Sequence, residues 1–370
     1  MAEPVEGEAG APLTRRRLVL SLVLILLALG GLYFLIPKLA GLSQTWGQLS
    51  HGDPWWLAAA APLELFSIAG YAALFATVFG RGEPRIDWRA SVEIPLAGIA
   101  AIRLLAAAGA GAVAVTVWAL RRAGMPPYAI VCRMAANIIL QYTVYLGALI
   151  VCGLGLWTGV FAGGGTSALT VLPAVLSAGV IVVALSMGLL PEDSARRLNR
   201  LASRPGRLGR LAARFATTPG ILSTAVRTAL GLVRDRRPGV LGALAYWGFD
   251  IAVLGLSFRA FGSVVPVAVL VMGYFLGTLG SLLPLPGGIG GIEGGMIGAF
   301  VAFGVPGGRA VVAVLAYRAI SFWLPTLPGI AGYLALRSTV RGWRAADAAT
   351  ASANADGAAG ERNRPATRTG

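Results

Sequence analysis

The sequence is short of charge, histidine and cysteine, and each shortage excludes a class of chemistry. Only 13% of its 370 residues are charged, about half the share in a typical soluble domain. The single histidine, His51, and the two cysteines, Cys132 and Cys152, are too few for a zinc site. The cysteines are separated by 20 positions on one predicted helix, about 30 Å, so they cannot form a disulfide with each other. We expect neither a metal nor another cofactor.

Apolar residues dominate what is present. Hydrophobic residues make up 56% of the chain, and the mean hydropathy is +0.73. Several runs reach the roughly 20 apolar residues that a helix needs to cross about 30 Å of hydrocarbon, and no alternating pattern suggests a transmembrane barrel. The sequence predicts an all-α polytopic protein of the cell membrane. Full spans are expected at residues 18–36, 55–79, 128–156, 166–190, 240–261 and 311–336.

The arginines predict how the chain threads through the bilayer, because positive residues favour the cytoplasmic side. Arginine clusters occur at 15–17, 81–89, 121–122 and 337–344, and eleven arginines lie in 191–237. Two further apolar segments, 90–120 and 264–303, exceed the length of one helix and contain glycine breaks. If each segment enters and returns on one side as a broken hairpin, every cluster becomes cytoplasmic. We therefore expect six spans, two re-entrant helical hairpins and both termini in the cytoplasm.

This threading predicts an inverted repeat, with halves at about 14–160 and 165–340. Each half runs span, span, hairpin, span, and an odd number of crossings inverts the second copy, as in many transporters. At an offset of 180 positions, Gly111, Gly124 and Pro126 recur as Gly291, Gly304 and Pro306. Each half then carries one arginine in the following span, Arg133 and Arg318. In a chain with 51 glycines, coincidence is the alternative explanation.

Three segments outside the spans have compositions of their own. Residues 1–13 and the alanine-rich tail 341–370 lack apolar periodicity, so we expect both to be disordered in the cytoplasm. The arginine-rich segment 191–237 has leucines at roughly helical spacing, which is typical of an amphipathic helix on the inner leaflet. It either anchors the topology or gathers anionic lipid headgroups. Membrane lipids are thus the expected partners, and no interleaving of basic and aromatic residues points to nucleic acid.

The sequence LPLPGGIGGIEGG at 283–295 breaks an apolar segment with six glycines and two prolines, and it contains Glu293. Such backbone persists inside a membrane only where protein or a water-filled cavity surrounds it. A carboxylate at this depth costs at least about 2.5–3.5 kcal/mol and usually faces a partner or a pathway. The stretch therefore predicts an interior polar site. The alternative is that the glycines permit close helix packing and that Glu293 belongs to a structural ion pair.

The same stretch is followed by GVPGGRA at 304–310 and AYRAISFWLPTLPG at 316–329. Together these motifs resemble the flippase-like transmembrane domain of the lysylphosphatidylglycerol synthetase/flippase family, in its stand-alone form. The resemblance covers roughly residues 18–340 and is strongest at 280–325. The first hairpin differs, since it has LLAAAGAGAVAV where relatives often have a cluster of proline, arginine, glycine and glutamate. Without the aminoacyl-transferase domain of the two-part synthetases, we expect no synthesis of aminoacylated lipid.

The resemblance implies movement of a phospholipid or lipid-linked head group between leaflets through a central polar cavity. Backbone N–H groups at the glycine breaks, together with Arg133 and Arg318, would bind the lipid phosphate. Glu293 would pair with an arginine, receive a cationic head group or carry a coupling proton. The expected substrate-binding residues are Pro284, Pro286, Gly287, Gly288, Gly290, Gly291, Glu293, Arg318, Arg133, Asp250 and Arg103.

Other polar residues and other functions stay open from the sequence. Asp250, Glu64 and Glu93 serve either a cavity or structural pairing, and Arg103 either pairs with Glu93 or lines the pocket. A secondary transporter of a small ion or solute, with Glu293 and Asp250 as coupling groups, is the first alternative to a lipid flippase. A membrane-embedded enzyme is the second, although HExxH, GxSxG, DxD and nucleotide-binding glycine motifs are missing. A non-transporting scaffold is the third.

Overall fold

The computed structural model describes residues 52–83, 85–104, 110–189, 218–282 and 290–362. Within these ranges all regular structure is helical, as expected. The helices are α1 (Pro54–Phe79), α2 (Trp88–Leu104), α3 (Ala110–Arg122), α4 (Pro127–Trp157), α5 (Ser167–Leu189), α6 (Thr218–Arg234), α7 (Gly242–Ala260), α8 (Val267–Thr278), α9 (Gly291–Ala302), α10 (Gly307–Arg318) and α11 (Thr326–Arg362). Short 3₁₀ turns precede α7 and follow α8, and a π-helix, Ala319–Trp323, separates α10 from α11.

Five helical stretches are long and apolar enough to cross a membrane. They are Pro54–Phe79, Pro127–Trp157, Ser167–Gly188, Pro238–Ala260 and Gly307–Ser352. These stretches confirm five of the six predicted spans, and the protein is a multi-pass membrane protein. The remaining predicted span, 18–36, lies outside the described residues, as do the segment 1–13 and most of the arginine-rich segment 191–237.

The two segments predicted as broken hairpins each form a pair of shorter helices. Helices α2 and α3 have 17 and 13 residues, and α8 and α9 have 12 each. At 1.5 Å per residue, lengths of about 18–26 Å fall short of the hydrocarbon thickness of about 30 Å. The two arms of each pair pack against each other. The breaks themselves, at 105–109 and 283–289, lie outside the described residues.

One end of the helix bundle collects the arginine clusters that fall within the described ranges. Four side-chain contacts join them: Arg85 with Asp347, Glu93 with Thr339, Arg81 with Asp235, and Arg133 with Glu83. The last turn of α3 reaches the same end, because a short turn joins it to the first part of α4, where Arg133 contacts Phe79 O and Glu83. Both arms of the first hairpin are therefore open towards the arginine-rich end.

The second hairpin is open towards the opposite end. There the Asp53 N–H donates to Ala260 O over 2.9 Å, which brings the start of α1 to the end of α7. Val269 in the first turn of α8 lies against Gly163, and Phe303 after α9 lies against Gly165. The hairpins thus point in opposite directions, as an inverted repeat requires. The inverted repeat itself, and the side of the membrane on which each end lies, stay predictions.

The predicted offset of 180 positions also appears in the turns after α3 and α9. Gly124 and Gly304 have φ angles of 94° and 86°, a left-handed conformation that glycine adopts without strain. In the first turn the Met125 N–H donates to Leu120 O, and in the second the Val305 N–H donates to Phe300 O. Each turn thereby satisfies the corresponding carbonyl at its helix C-terminus. The same closure follows α7, where the Ser263 N–H donates to Phe258 O beside Gly262, so it is a common way to end a helix and the repeat stays a prediction.

Helix α11 continues to Arg362, which corrects the expectation of a disordered tail for residues 341–362. Alanine has the highest helix propensity, so this alanine-rich sequence extends the helix without a hydrophobic stripe. Contacts from Thr339 and Asp347 to the start of the first hairpin tie its first part to the bundle.

Candidate functional site

A cavity of about 400 Å³ lies between the helices near the middle of the spans. Glu64 lines it 10 residues into α1, about 15 Å along the helix, and Asp250 lines it 8 residues into α7, about 12 Å. The first hairpin contributes Ile99 and Ile102 from α2. The second contributes residues of α8, its following 3₁₀ turn and α9. Both hairpins therefore meet at one cavity.

An ion pair between Arg318 and Glu293 lies at this cavity. Arg318 lines the cavity, and its Nε donates to Glu293 Oε1 over 2.6 Å. The side chains of both residues are only 15% exposed. The other carboxylate oxygen of Glu293 accepts the Gly290 N–H over 2.7 Å, which caps the start of α9. Both oxygens of Glu293 are thus engaged, one by the arginine and one by the backbone at the hairpin break.

The π-helix Ala319–Trp323 directly follows Arg318. Single turns of π-helix are rare and occur often at functional sites, because they redirect side chains within an otherwise regular helix. Here the π-helix brings Ser321 into the cavity wall together with Tyr317 and Arg318. The Arg318 guanidinium also lies 5.6 Å from the ring centre of Phe322.

Asp250 is the centre of a second polar cluster in the cavity wall. Tyr274 and Tyr317 both donate hydrogen bonds from their hydroxyl groups to its carboxylate, the latter over 3.0 Å. The Glu64 side chain lies within hydrogen-bonding reach of Asp250 from the facing helix. Asp250 and Glu64 are only 8% and 5% exposed. Two carboxyl groups and two tyrosine hydroxyl groups, from α1, α7, α8 and α10, therefore converge in one buried place.

Close packing of α1 on α7 holds this cluster in position. A Cβ at Gly70 would lie 2.8 Å from Ala245 Cβ and 2.9 Å from Gly242 O, so only glycine fits there. One helical turn nearer the cluster, Ser67 Oγ donates to Tyr246 O over 2.9 Å. The two helices run antiparallel, so the contacts Asp53 with Ala260 and Gly70 with Gly242 also set Glu64 opposite Asp250.

Aromatic side chains build much of the remaining wall. Trp247 packs against Tyr145, Tyr274 and Phe275, with ring centroids 5.4–6.1 Å apart. Its indole N–H donates to Gln141 O over 3.0 Å, and the Tyr145 hydroxyl donates to Phe275 O over 2.7 Å. Each polar end is therefore satisfied inside the protein, which fixes α4, α7 and α8 around the cavity.

The glycines of the second hairpin also serve packing. A Cβ at Gly277 would lie 2.5 Å from Met296 Cα, and Cβ atoms at Gly280 or Gly295 would overlap carbonyl groups of the facing arm. Close packing and a structural ion pair, the two parts of the alternative interpretation, are thus both present. They occur at the wall of a polar cavity, so packing and cavity formation depend on the same residues.

Comparison with known proteins places the chain in a family. Residues 18–329 match the sequence model described as the lysylphosphatidylglycerol synthase TM region. The chain belongs to this family. The match covers far more than the motif region at 280–325 and confirms the resemblance drawn from those motifs.

Curated relatives of this family member are similar over shorter stretches. Three matches to proteins named UPF0104 membrane protein, from Methanothermobacter thermautotrophicus, are 41% identical over 88 residues, 36% over 102 and 33% over 94. These stretches cover 24–26% of this chain and 26–29% of the relatives. The chain therefore spans about a quarter of the length of the curated relatives that it matches. No solved structure matches.

The structure brings together several of the residues expected at the site. Arg318 and Asp250 line the cavity, Glu293 is bound to Arg318, and Gly290 caps Glu293. Gly291 begins α9 and lies against the facing arm of its hairpin. The sequence predictions for Pro284, Pro286, Gly287 and Gly288 lie outside the described residues. Arg103 belongs to α2, and its side chain also lies outside the described part.

Arg133 lies elsewhere, in a separate cavity of about 640 Å³ at the arginine-rich end. Its Nη1 donates to Phe79 O over 2.9 Å, and its Nη2 lies 3.6 Å from Glu83 Oε1. Arg81 and Arg227 line the same cavity. Glu93 is also at this end, where it accepts hydrogen bonds from Arg89 and Thr339. Neither Arg133 nor Glu93 is among the residues that line the central cavity.

Tyr274, Tyr317 and Ser321 line the cavity but were not predicted as site residues. Tyrosine in an apolar helix is common, so neither hydroxyl stands out by composition. The available signal was position: Tyr317 directly precedes Arg318, and both tyrosines interrupt predicted apolar runs.

Proposed function

We propose that this family member moves phospholipid, or a lipid-linked head group, between the leaflets of the cell membrane. The observation that carries the proposal is the cavity at the middle of the spans, lined by both hairpins and holding Arg318 and Asp250. Its volume of about 400 Å³ lies within the range of about 300–1,000 Å³ typical of small-ligand sites. The cavity has room for a headgroup and not for two acyl chains, which would stay in the bilayer during passage.

Arg318 is the group that would meet the lipid phosphate. Its Nε is engaged by Glu293, and among the described residues no hydrogen bond uses its two Nη groups. Guanidinium binds phosphate through paired N–H donors, with greater strength where water is scarce. Glu293 would hold the guanidinium in place through the ion pair, rather than bind the anion itself.

Liposomes of defined composition test this function. The purified chain is reconstituted with acyl-labelled fluorescent phosphatidylglycerol, and a membrane-impermeant reductant bleaches the outer leaflet. We expect bleaching beyond the outer-leaflet fraction with the wild-type chain, and its loss with Arg318→Ala or Glu293→Gln. Arg259→Ala is the matched control. Arg259 lies in the last turn of α7, over the ring of Trp56 and away from the central cavity. Normal exchange by both cavity variants would overturn the proposal.

The cavity at the arginine-rich end supplies a place where anionic lipid would collect. Arg81, Arg133 and Arg227 line it together with the hydroxyl groups of Thr224 and Thr228. Anionic lipid at the cytoplasmic surface attracts such groups by about 1 kcal/mol for each basic residue. Replacing Arg81 and Arg227 with glutamine should weaken co-purification of anionic lipid, measured by native mass spectrometry, while zwitterionic lipid is unaffected.

A secondary transporter of a small ion or solute is the second candidate. The small volume of the cavity and its buried acid cluster favour it. In the same liposomes, a carrier would give ion or solute flux without lipid exchange. The two functions are therefore separated by one preparation.

The orientation in the membrane is part of the proposal. We propose that the arginine-rich end and both termini lie in the cytoplasm, as the positive charges favour. The arrangement is tested with cysteines introduced at positions 122 and 205 in a background without Cys132 and Cys152. Labelling of either site in intact cells by an impermeant thiol reagent would contradict it.

A further inference from the structure

We propose that Glu64 and Asp250 share one proton in the wall of the central cavity, and that this proton enters and leaves together with the anionic headgroup. The inference rests on the lipid movement proposed above and adds its energy source. A pH gradient across the membrane would then drive the lipid, with no need for direct use of ATP.

Geometry places the two carboxyl groups against each other. Glu64 on α1 and Asp250 on α7 face one another across the contact between the two helices, and the glycines at 70 and 242 let these helices approach closely. Both residues are more than nine-tenths buried. Two ionised carboxylates at hydrogen-bonding distance repel strongly where water is scarce, so a pair of this kind holds one proton between them.

The neighbours of Asp250 decide which acid carries the proton. Tyr274 from α8 and Tyr317 from α10 both donate to Asp250, and donated hydrogen bonds favour the ionised form of a carboxylate. The Glu64 hydroxyl then becomes the third donor to Asp250, so the proton resides on Glu64. The remaining tyrosines that line the same cavity are Tyr246 on α7 and Tyr142 and Tyr145 on α4, and Tyr145 donates to Phe275 O.

Charge around the pair links the proton to the cargo. Arg318 acts on Asp250 across the cavity, but Glu293 already neutralises its charge. With the proton on Glu64, this group of Glu64, Asp250, Glu293 and Arg318 carries one net negative charge. Without it the group carries two, which repel a phosphate approaching Arg318. A phosphate therefore enters more readily when the pair is protonated.

The proton step is a simple acid dissociation. The O–H bond of Glu64 breaks, its electron pair stays on the carboxylate oxygen, and the proton passes to water that enters the open cavity. As the phosphate leaves on one side, the proton leaves with it, and the empty cavity is protonated again from the more acidic side. No oxidant or other co-reactant takes part.

Infrared spectroscopy tests the shared proton without any transport measurement. The full chain in lipid nanodiscs at neutral pH should show the carbonyl band of one buried, protonated carboxylic acid. Glu64→Gln should remove this band, and Asp250→Asn should remove or shift it, so either variant suffices if the other misfolds. Glu93→Gln is the matched control, since Glu93 is equally buried but is bound to Arg89 and Thr339 instead of a second carboxyl group. A band that persists unchanged in both pair variants would overturn the shared proton.

A pH series in the liposome assay tests the coupling. Exchange of labelled phosphatidylglycerol should fall at least tenfold from acidic to alkaline pH, and an inwardly directed proton gradient should drive net inward movement of the lipid. Glu64→Gln mimics the protonated acid permanently, so its exchange should lose most of the pH dependence and no longer respond to the gradient.

The outcomes separate this inference from the function on which it rests. If wild-type liposomes show no lipid exchange, the proposed function fails while the infrared result still decides the shared proton. If exchange occurs but Glu64→Gln keeps the wild-type pH profile, the coupling is overturned and the lipid movement stands. Soluble glycerol phosphate, added in excess, separates the two sources of phosphate. Competition with lipid exchange supports binding of the headgroup itself. Proton uptake driven by glycerol phosphate alone would make the free phosphate the cargo and overturn lipid coupling.

Discussion

The two hairpins share a backbone plan but differ in what they bring to the cavity. The first supplies Ile99 and Ile102, while its carboxylate, Glu93, lies at the arginine-rich end. The second places Glu293 at its break, bound to Arg318 beside the cavity. The comparison teaches that two hairpins built alike can differ in ionic chemistry, since only the second brings an ion pair to the cavity. On the other side, the carboxyl group comes from α1, which supplies Glu64.

Depth along the following helix explains the different roles of the two arginines. Arg133 lies 6 residues after the start of α4, about 9 Å along the axis, whereas Arg318 lies 11 residues after the start of α10, about 16 Å. The difference of five residues, roughly 1.4 turns and about 7.5 Å, is enough to move an arginine from the end of a span to its middle. One arginine in each half therefore predicts a repeat, but not a shared site.

The largest expected effect comes from removing Arg318. Arg318→Ala leaves Glu293 buried without its cation, and breaking a buried pair in this way costs about 3–5 kcal/mol. Arg133→Ala should cost less, since its Nη2 lies 3.6 Å from Glu83 Oε1, a longer contact than the 2.6 Å between Arg318 and Glu293. Denaturant unfolding in detergent, followed by circular dichroism, measures both. Equal losses would remove the asymmetry between the halves.

Tyr274→Phe tests the acid cluster. This tyrosine has no counterpart in the first hairpin, because the residue 180 positions earlier is Ile94. The variant loses a hydrogen bond to a charged group, worth about 1.5–3 kcal/mol. The control Tyr145→Phe loses only a bond to a backbone carbonyl, worth about 0.5–1.5 kcal/mol. The same unfolding experiment measures the difference, and a larger loss in the control would contradict the proposed cluster.

Glycine substitutions compare the packing of the two hairpins. A Cβ at Gly295 overlaps the Gly277 carbonyl, so Gly295→Ala should destabilise the protein by about 1–3 kcal/mol. A Cβ at Gly98 would lie 3.4 Å from Ala112 Cβ, an ordinary contact, so Gly98→Ala should be tolerated. Thermal unfolding of the two variants side by side decides whether only the second hairpin depends on close approach of its arms.

The smallest effect is expected for Glu93→Gln. Glu93 is buried, but its partners Arg89 and Thr339 lie at the arginine-rich end, away from the central cavity. Lipid exchange by this variant should match that of the wild-type chain. A loss of exchange would show that the first hairpin also takes part in the chemistry of the cavity.

Hydropathy and arginine placement were sufficient to predict the helical class, five of the spans within the described residues and the two interrupted segments. They were sufficient because the tendency of a segment to enter the bilayer depends on the summed hydropathy of that segment alone, not on contacts with other helices. The sequence also singled out Glu293, Arg318 and Asp250, since charge is rare in apolar runs. It misjudged the tail after residue 341, where alanine alone extends the helix, and it expected Arg133 beside Arg318.

The sequence by itself determined that this chain spans a membrane, to which family it belongs, and that Glu293 needs a partner. Only the tertiary structure decided that Glu64 meets Asp250 and that two tyrosines join them. The reason is geometric: each residue turns a side chain by about 100° around its helix and moves it about 1.5 Å along the axis. Contacts between four helices depend on the rotation and the depth of every helix at once. Close contacts such as Gly70 with Gly242 fix these rotations and depths.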